Sequence, residues 1–258
     1  MPLQPILQRI QQGKRTIAFP KAEPTLPDRF RGRPAIDLTK CPQGCRACAD
    51  ACPTQALRFE VQEQSQVPRL DLGRCLFCGE CESACPSDAL HFGREYSLAA
   101  RTRADLEDGM TANVRAPLQA LDEEARSLFG RSFRIRQVSA GGCNACEADC
   151  NVLSTVVFDL GRFGIQFVAA PRHADAVLVT GPVSQNMKLA LEKTWAAVPA
   201  PKLAIAVGAC AISGGPFAGN PEVVGGADRV VPVDLYVPGC PPHPITILDG
   251  LLRLLGRR

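Results

Sequence analysis

The second half of the chain alternates short apolar runs with stretches of helical spacing. Residues 133–138 alternate apolar and polar positions, as a half-buried strand does, and the later runs are largely apolar, as strands buried on both faces are. The runs of strand length are 133–138, 165–169, 176–180 and 203–207, and helical stretches lie near 184–198 and 244–255. This alternation predicts an α/β domain over residues 131–258, with a parallel sheet covered by helices on both faces.

The first forty residues show neither pattern. Six prolines within residues 1–34 disfavour long helices and predict an extended arm over that range. The arm is basic, because residues 1–40 hold eight Lys or Arg against three acidic residues. Ile6, Leu7 and Ile10 form one short amphipathic piece in it. Two interpretations stay open: a solvated tail, or an arm packed on a partner subunit.

A helical connector is predicted between the two patterned regions, over residues 96–130. Apolar residues recur there at helical spacing: Leu118, Leu121, Ala125, Leu128 and Phe129. Pro117 suits the start of such a helix and Gly130 suits its end.

Composition and charge exclude several classes of protein. With 46% hydrophobic and 21% charged residues the chain has a globular composition, and no apolar run approaches the ~18 residues of a membrane span. The N-terminus lacks the pattern of a signal peptide, so we expect a cytoplasmic, reducing location. No basic cluster with interleaved aromatics indicates nucleic-acid binding, and no glycine-rich nucleotide motif or serine-nucleophile motif is present.

Thirteen cysteines are the unusual feature of this composition. An odd number cannot pair completely into disulfides, and a chain of this length does not need them, so metal binding is the better explanation. Eight of the cysteines form a repeat with a period of about 35 residues, each copy followed by an Ala-Leu pair. The duplication predicts two equivalent halves that share one core, a small α+β domain over residues 35–95.

The second copy of the repeat has the spacing C-x2-C-x2-C-x3-C-P that is typical of bacterial ferredoxins with two 4Fe-4S clusters. In that arrangement three cysteines of one copy and the fourth cysteine of the other bind each cluster. The first cluster is therefore expected on Cys41, Cys45, Cys48 and Cys85. The second is expected on Cys75, Cys78, Cys81 and Cys52. Zinc also uses C-x-x-C pairs, but zinc ribbons separate two pairs by a long spacer.

The first copy departs from this spacing by one residue. Pro42, Gln43 and Gly44 separate Cys41 from Cys45, where the pattern has two residues. Gly44 permits a left-handed turn that absorbs the extra residue. Cys41 is the ligand most affected by this departure.

Four of the remaining cysteines suit a third cluster in the α/β domain. They are Cys143, Cys146, Cys210 and Cys240. Glycines close to them allow the backbone to approach an inorganic core, and Cys143 and Cys210 each follow a predicted strand, where ligands of such sheets collect. Cys150 is left over and is expected to be a small buried hydrophobic residue.

The residues around these cysteines resemble a known family. The stretches GGCNACEAD, RFGIQFVAAPRHADAVLVTGPV, VGACAISGG and DLYVPGCPPHP resemble the small subunit of membrane-bound NiFe hydrogenases of the formate hydrogenlyase type, which is related to the 20 kDa, B-type subunit of respiratory complex I. Residues 40–92 resemble the polyferredoxin subunit of such complexes, which elsewhere is a separate chain. The resemblance implies a flavodoxin-like sheet with one 4Fe-4S cluster. A two-cluster ferredoxin domain precedes it in the sequence, which gives three clusters in total.

The resemblance also implies a function. We expect an electron-transfer subunit, without catalytic residues of its own, that passes electrons between the ferredoxin clusters and the active site of a partner large subunit. Its partners would be that large subunit, other subunits of a complex at the cytoplasmic membrane, and a donor dehydrogenase or ferredoxin. In complex I subunits two cluster ligands are adjacent cysteines, whereas Asn144 and Ala145 separate Cys143 from Cys146, which favours the hydrogenases.

Two alternative functions stay open. One is a subunit of a complex I-like NADH or ferredoxin:quinone oxidoreductase, and a more remote one is an iron-sulfur redox sensor or scaffold. Three further residues have open roles near the third site. Glu147 either relays protons or contacts the partner, or else caps the helix that begins beside it. Arg172 and His173 either donate hydrogen bonds to a cluster sulfur or are structural.

Overall fold

The computed structural model describes residues 3–62, 65–110, 118–130 and 132–258. Its α-helices are α1 (Gln4–Gln12), α2 (Ala47–Asp50), α3 (Glu80–Ser83), α4 (Glu123–Phe129), α5 (Ala145–Val152), α6 (Gln185–Ala197), α7 (Ala209–Ser213) and α8 (Pro244–Leu254). Its strands are β1 (Pro34–Ile36), β2 (Leu57–Gln62), β3 (Ser65–Asp71), β4 (Leu90–Phe92), β5 (Glu107–Gly109), β6 (Phe133–Ser139), β7 (Ile165–Phe167), β8 (Ala176–Thr180), β9 (Leu203–Val207) and β10 (Leu235–Val237). Among the described residues, no helix is both long and apolar enough to span a bilayer.

The second half of the chain forms a five-stranded sheet in the order β7-β6-β8-β9-β10. All neighbouring strands in it run parallel. This is the flavodoxin-like order, in which the chain reverses direction across the sheet between its first and third strands, here β6 and β8. The predicted fold class is confirmed.

The sheet is buried on both faces at its central strands β8 and β9, which explains their continuous apolar runs, whereas β6 and β7 keep exposed positions. Every residue of β8 and β9 is buried. In β8, Leu178 points into one hydrophobic core while Val177 and Val179 point into the other. Helix α8, buried along its length except at Arg253, contributes to the first core. The second core continues into the cysteine-rich first part of the chain.

The cysteine-rich part contains two small antiparallel sheets. Strand β1 pairs with β4, and β3 pairs with both β2 and β5. Helices α2 and α3 occupy equivalent places in the repeat, and each precedes a strand, β2 or β4, that starts at the leucine of the repeated Ala-Leu pair. Because β5 pairs with β3 in the second of these sheets, the fold of the cysteine-rich part extends beyond residue 95, where the sequence pattern predicted its end.

The connector is less helical than predicted. Its described part contains a short 3₁₀ turn at Ala104–Leu106, strand β5 and helix α4. Asp122 accepts a hydrogen bond from the Ala125 amide at 2.8 Å and starts α4 there, so Leu118 and Leu121 precede the helix. The helix start predicted at Pro117 lies outside the described residues.

The arm is not fully extended, and only its first part, α1, is exposed as a solvated tail would be. Residues Gln4–Gln12 form α1, which has no buried residue and exposes Ile6, Leu7 and Ile10. After α1 the arm packs on its own chain, since the Ile17 amide donates to the Val157 carbonyl at 3.0 Å. Phe19 is 2% exposed and lies edge-on against Tyr96, with ring centres 6.0 Å apart.

Candidate iron-sulfur sites

The third predicted cysteine set lies at the carboxyl edge of the parallel sheet. Cys143 and Cys146 follow β6, Cys210 lies in α7 after β9, and Cys240 follows β10. The structure groups the four thiols around Cys210, which lies within electrostatic range of Cys143, Cys146 and Cys240. This edge, next to the reversal point of the sheet, is where such folds hold ligands.

Gly208 gives the backbone room to approach this set. It lies between β9 and α7 with φ of +93°, and a Cβ atom placed on it would be 2.5 Å from the Sγ atom of Cys146. No side chain fits there, so glycine is required by both the space and the backbone conformation. Four converging thiols beside a glycine, where no side chain fills the space, fit an iron-sulfur cluster.

Burial raises the pKa values of the Cys146, Cys210 and Cys240 thiols. It raises the pKa of Cys210 to about 11, with further contributions from Cys240 and Cys143. Burial also raises the pKa of Cys146, and the thiol of Cys210 adds to the shift. Thiolates in such surroundings need a compensating cation, which ligated iron provides.

The ferredoxin-like part groups its eight cysteines in two sets. The thiol of Cys85 lies within electrostatic range of Cys41 and Cys48, which belong to the other copy of the repeat. Conversely, Cys52 lies within range of Cys75 and Cys81. The fourth cysteine of each copy, Cys52 or Cys85, is therefore exchanged: it lies with the first three cysteines of the other copy. Each of the two sets contains three cysteines of one copy and one of the other.

The extra residue of the first copy is absorbed in a turn. Gly44 has φ of +79°, and the Cys45 amide donates to the Pro42 carbonyl at 3.1 Å. Cys41 stays within electrostatic range of Cys45 and Cys85.

Backbone amides donate to the exchanged thiols in the same way in both copies. The Ala56 amide lies 3.2 Å from the Cys52 Sγ, and the Ala89 amide lies 3.2 Å from the Cys85 Sγ. Burial raises the pKa of the Cys85 thiol, but the amide of Ala89 and the donors around Ser87 outweigh it and lower that pKa overall. Amide-to-sulfur hydrogen bonds stabilise thiolates and tune the potential of a cluster that they bind.

The three cysteine sets form a row. Cys48 of the first set interacts electrostatically with Cys81 of the second. Cys78 of the second set interacts with Cys240 of the third. The second set thus lies between the other two, and Cys143 of the third set is exposed.

These sets differ from a site for one ion. In the described ranges, no three His, Cys, Asp or Glu side chains converge as they would around a single metal ion. Four thiolates on one zinc ion lie within about 4 Å of each other, given Zn–S bonds of about 2.3 Å. A cuboidal cluster binds its thiolates on four separate iron atoms and spreads them more widely.

The residues with open roles are also placed. Glu147 lies in the first turn of α5 and is 6% exposed, and its Oε1 atom accepts hydrogen bonds from Ser139 Oγ at 2.6 Å and Thr180 Oγ1 at 2.7 Å. Burial raises the pKa of Glu147, but these hydroxyls outweigh it and lower that pKa overall. Its carboxylate thus ties α5 to β6 and β8 inside the chain, out of reach of a partner. Cys150 is fully buried, as a small hydrophobic residue is expected to be.

Arg172 and His173 do not contact the third set. Both are exposed in the 3₁₀ turn Pro171–His173, just before β8 begins. The chain returns to the sheet directly after this turn, where the Asp175 amide donates a hydrogen bond to the Arg134 carbonyl near the start of β6. The turn therefore lies at the amino edge, opposite the cysteines, and the proposed hydrogen bond to a cluster sulfur is wrong.

Two contacts near the cysteines involve residues that the sequence did not single out. Arg31 donates to the Phe77 carbonyl at 3.3 Å, beside Cys78. Phe30 lies edge-on against His243, which follows Cys240 by three residues, with ring centres 5.4 Å apart. No local spacing signals these contacts, because they join distant parts of the chain.

Two family models match this chain. The model described as NADH ubiquinone oxidoreductase, 20 Kd subunit, matches residues 143–254. The model described as 4Fe-4S dicluster domain matches residues 40–89. Both matches cover the cysteine sets and support iron-sulfur clusters as the cofactors.

Curated relatives match about half of the chain. Formate hydrogenlyase subunit 7 of Escherichia coli is 45% identical over 49% of this chain and 49% of its own length. The "Probable membrane-bound hydrogenase subunit mbhJ" of Pyrococcus furiosus is 43% identical over 49% of this chain and 76% of its own length. An NADH-quinone oxidoreductase subunit of Heliobacterium modesticaldum is 42% identical over 45% and 66%. The chain thus spans about half of the first relative and more of the other two.

Proposed function

This chain belongs to the family of the NADH ubiquinone oxidoreductase 20 kDa subunit, and we propose that it is the electron-transfer iron-sulfur subunit of a membrane-associated NiFe hydrogenase complex of the formate hydrogenlyase type. Its ferredoxin-like part supplies the dicluster domain in the same polypeptide. The domains proposed are an arm (1–34), a ferredoxin domain (35–95) to which strand β5 of the following segment also pairs, a connector (96–130) and the family domain (131–258).

The row of three cysteine sets carries this proposal. It leads from the ferredoxin-like part to Cys143, which is exposed with its neighbours Gly142 and Asn144 at the carboxyl edge of the sheet. We assign each set to one 4Fe-4S cluster, with the ligands expected from the sequence. When bound, such clusters supply one-electron carriers.

The chain's own residues hold and shield these sites. Cys75 is buried and Cys146 is half-buried, so water has little access to one side of the second set and reduced access to one side of the third. The amides of Ala56 and Ala89 orient the thiols of Cys52 and Cys85. The structure therefore suits a conduit whose catalytic centre lies in a partner, against the exposed Cys143 edge.

A complex I-like oxidoreductase is the alternative function, since the relatives include subunits of both kinds. The spacing of Cys143 and Cys146 by Asn144 and Ala145 favours the hydrogenase, as adjacent cysteines are typical of complex I.

Purification of the native complex tests this function. We expect anaerobically isolated complex to contain nickel in a large subunit that copurifies with this chain, and to evolve or consume hydrogen. Metal analysis and a hydrogen electrode measure both. A complex without nickel that reduces quinone or ferredoxin would establish the complex I-like alternative instead.

The exchange of the fourth cysteines predicts which cluster a substitution damages. In Cys52→Ser, we expect the second cluster, held mainly by Cys75, Cys78 and Cys81, to be lost or altered while the first remains. The reason is that the Cys52 thiol lies with the second set and not with its own copy. Electron paramagnetic resonance of the reduced full-length chain separates the two clusters.

Cys85→Ser is the matched variant, because its thiol occupies the equivalent position in the first set. It is expected to damage the first cluster and spare the second. Damage confined to the mutated copy's own cluster, in either variant, would contradict the exchanged assignment.

A further inference from the structure

Two consecutive residues of the arm connect the loops of the second and third cysteine sets. Arg31 contacts the loop that carries Cys78, and Phe30 contacts the loop that carries Cys240. Cys78 and Cys240 are the two thiols through which these sets interact. The arm therefore reaches the junction between the sets from outside both domains.

Arg31 lies along the Cys78 loop on both sides of the cysteine. Its Nη1 atom donates to the carbonyl of Phe77, and its guanidinium lies 3.1 Å from where a Cβ atom of Gly79 would be. The side chain thus holds a fixed positive charge beside a predicted cluster ligand. A guanidinium keeps this charge at all physiological pH values.

Phe30 holds the Cys240 loop through His243. The two rings meet edge-to-face at 85°. His243 in turn accepts a hydrogen bond from the Ile245 amide at 3.2 Å and so starts helix α8, the buried helix under the sheet. The contact therefore fixes the end of the Cys240 loop to a rigid element.

A cavity of about 240 Å³ lies where these loops meet. Phe30, Arg31, Phe77, Cys240 and His243 are among the residues that line it. Since open space remains between the two loops, their separation depends on contacts made from outside them, and the arm supplies two: Arg31 contacts the Cys78 loop and Phe30 the Cys240 loop.

We propose that Phe30 and Arg31 are positioning residues that set the separation of the Cys78 and Cys240 loops, and that Arg31 also stabilises the reduced state of the second site. This inference rests on the proposed function, in which both loops hold clusters. Added negative charge on reduction is favoured by a nearby cation, and the effect weakens as salt screens it.

Arg31→Gln in the full-length chain with its clusters tests the charge. We expect unchanged iron content, a more negative midpoint potential for the second cluster, and a smaller shift at high salt. Arg31→Lys should restore most of the potential. Arg15→Gln, which removes the same charge from another exposed position earlier in the arm, is the control and should shift nothing. Spectroscopically monitored redox titration gives the potentials.

Phe30→Ala tests the spacing without changing charge. We expect weaker magnetic coupling between the reduced second and third clusters, with iron content and potentials retained. Wild-type coupling in Phe30→Ala together with a wild-type potential in Arg31→Gln would overturn the inference. Loss of iron in Arg31→Lys and Phe30→Ala would also overturn it, because the residues would then be required to hold the clusters. A wild-type chain that binds no clusters would contradict the proposed function itself.

Discussion

Gly208→Ala is expected to abolish cluster binding at the Cys143 edge while leaving the ferredoxin-like sites intact. A Cβ atom at this position would lie 2.5 Å from the Cys146 Sγ, closer than real side chains approach, and the backbone has φ of +93°. Either the thiol or the β9–α7 connection must move, and both Cys146 and Cys210 depend on that connection. If the chain holds the three proposed clusters of four iron atoms each, iron should fall from about twelve to about eight per chain. Iron and sulfide analysis of anaerobically purified protein measures the change.

Gly219→Ala is the matched control for this prediction. Gly219 has a similar backbone conformation, with φ of +85°, but a Cβ atom there meets nothing within 4 Å. The variant should carry only the strain of a left-handed residue, about 1–2 kcal/mol, and keep its full iron content. Equal iron in both variants would show that Cys146 is not held as a ligand against Gly208.

The sheet was predictable where burial left a continuous pattern in the sequence. Strands β8 and β9 are buried on both faces, so their apolar runs coincide with the strands. Strand β10 was missed because it is only three residues long, Leu235–Val237, and is followed at once by Pro238. Its position comes from pairing with β9, which no local pattern encodes.

The arm and the connector show how tertiary contacts override local pattern. Pro5 does not exclude α1, because it lies in the first turn, where proline replaces an amide that has no partner. Leu121 has helical spacing from Ala125 but is buried by a contact with the end of α8, where its amide donates to the Leu254 carbonyl at 2.9 Å. The spacing of apolar residues indicates which side chains are buried, and here the side chain of Leu121 is buried although it lies before the helix.

The candidate sites were predictable as far as cysteine spacing reaches. Ligand loops have fixed spacings because one loop must present several thiolates to one cluster, so the sets followed from the motifs. The placement of Arg172 and His173 did not follow, since the loop after β7 must return to the opposite edge before β8 begins. The contacts of Phe30 and Arg31 depend on how the arm crosses two domains, which local sequence does not specify.

Cys143→Ser is expected to abolish hydrogen turnover in the native complex while dye reduction at the ferredoxin-like sites continues. Cys143 and Cys240 are both exposed, but Cys240 neighbours the second set, so Cys143 lies at the far end of the row, against the proposed large subunit. Serine has nearly the same size, but its oxygen is a much poorer ligand for iron-sulfur clusters than a thiolate. Hydrogen electrode and dye-reduction assays on the same preparation separate the two activities.

Cys150→Ala is the control for that experiment, because Cys150 lies in the adjacent helix α5 yet is fully buried in the core. It should keep both activities and all three clusters. Since only the last connection is interrupted in Cys143→Ser, the first two clusters should still become reduced, which their spectra report. Hydrogen turnover that survives in Cys143→Ser would show that electrons reach the partner from another edge of this chain. Loss of dye reduction together with hydrogen turnover would show a general folding defect and would remove the support for a role at the interface.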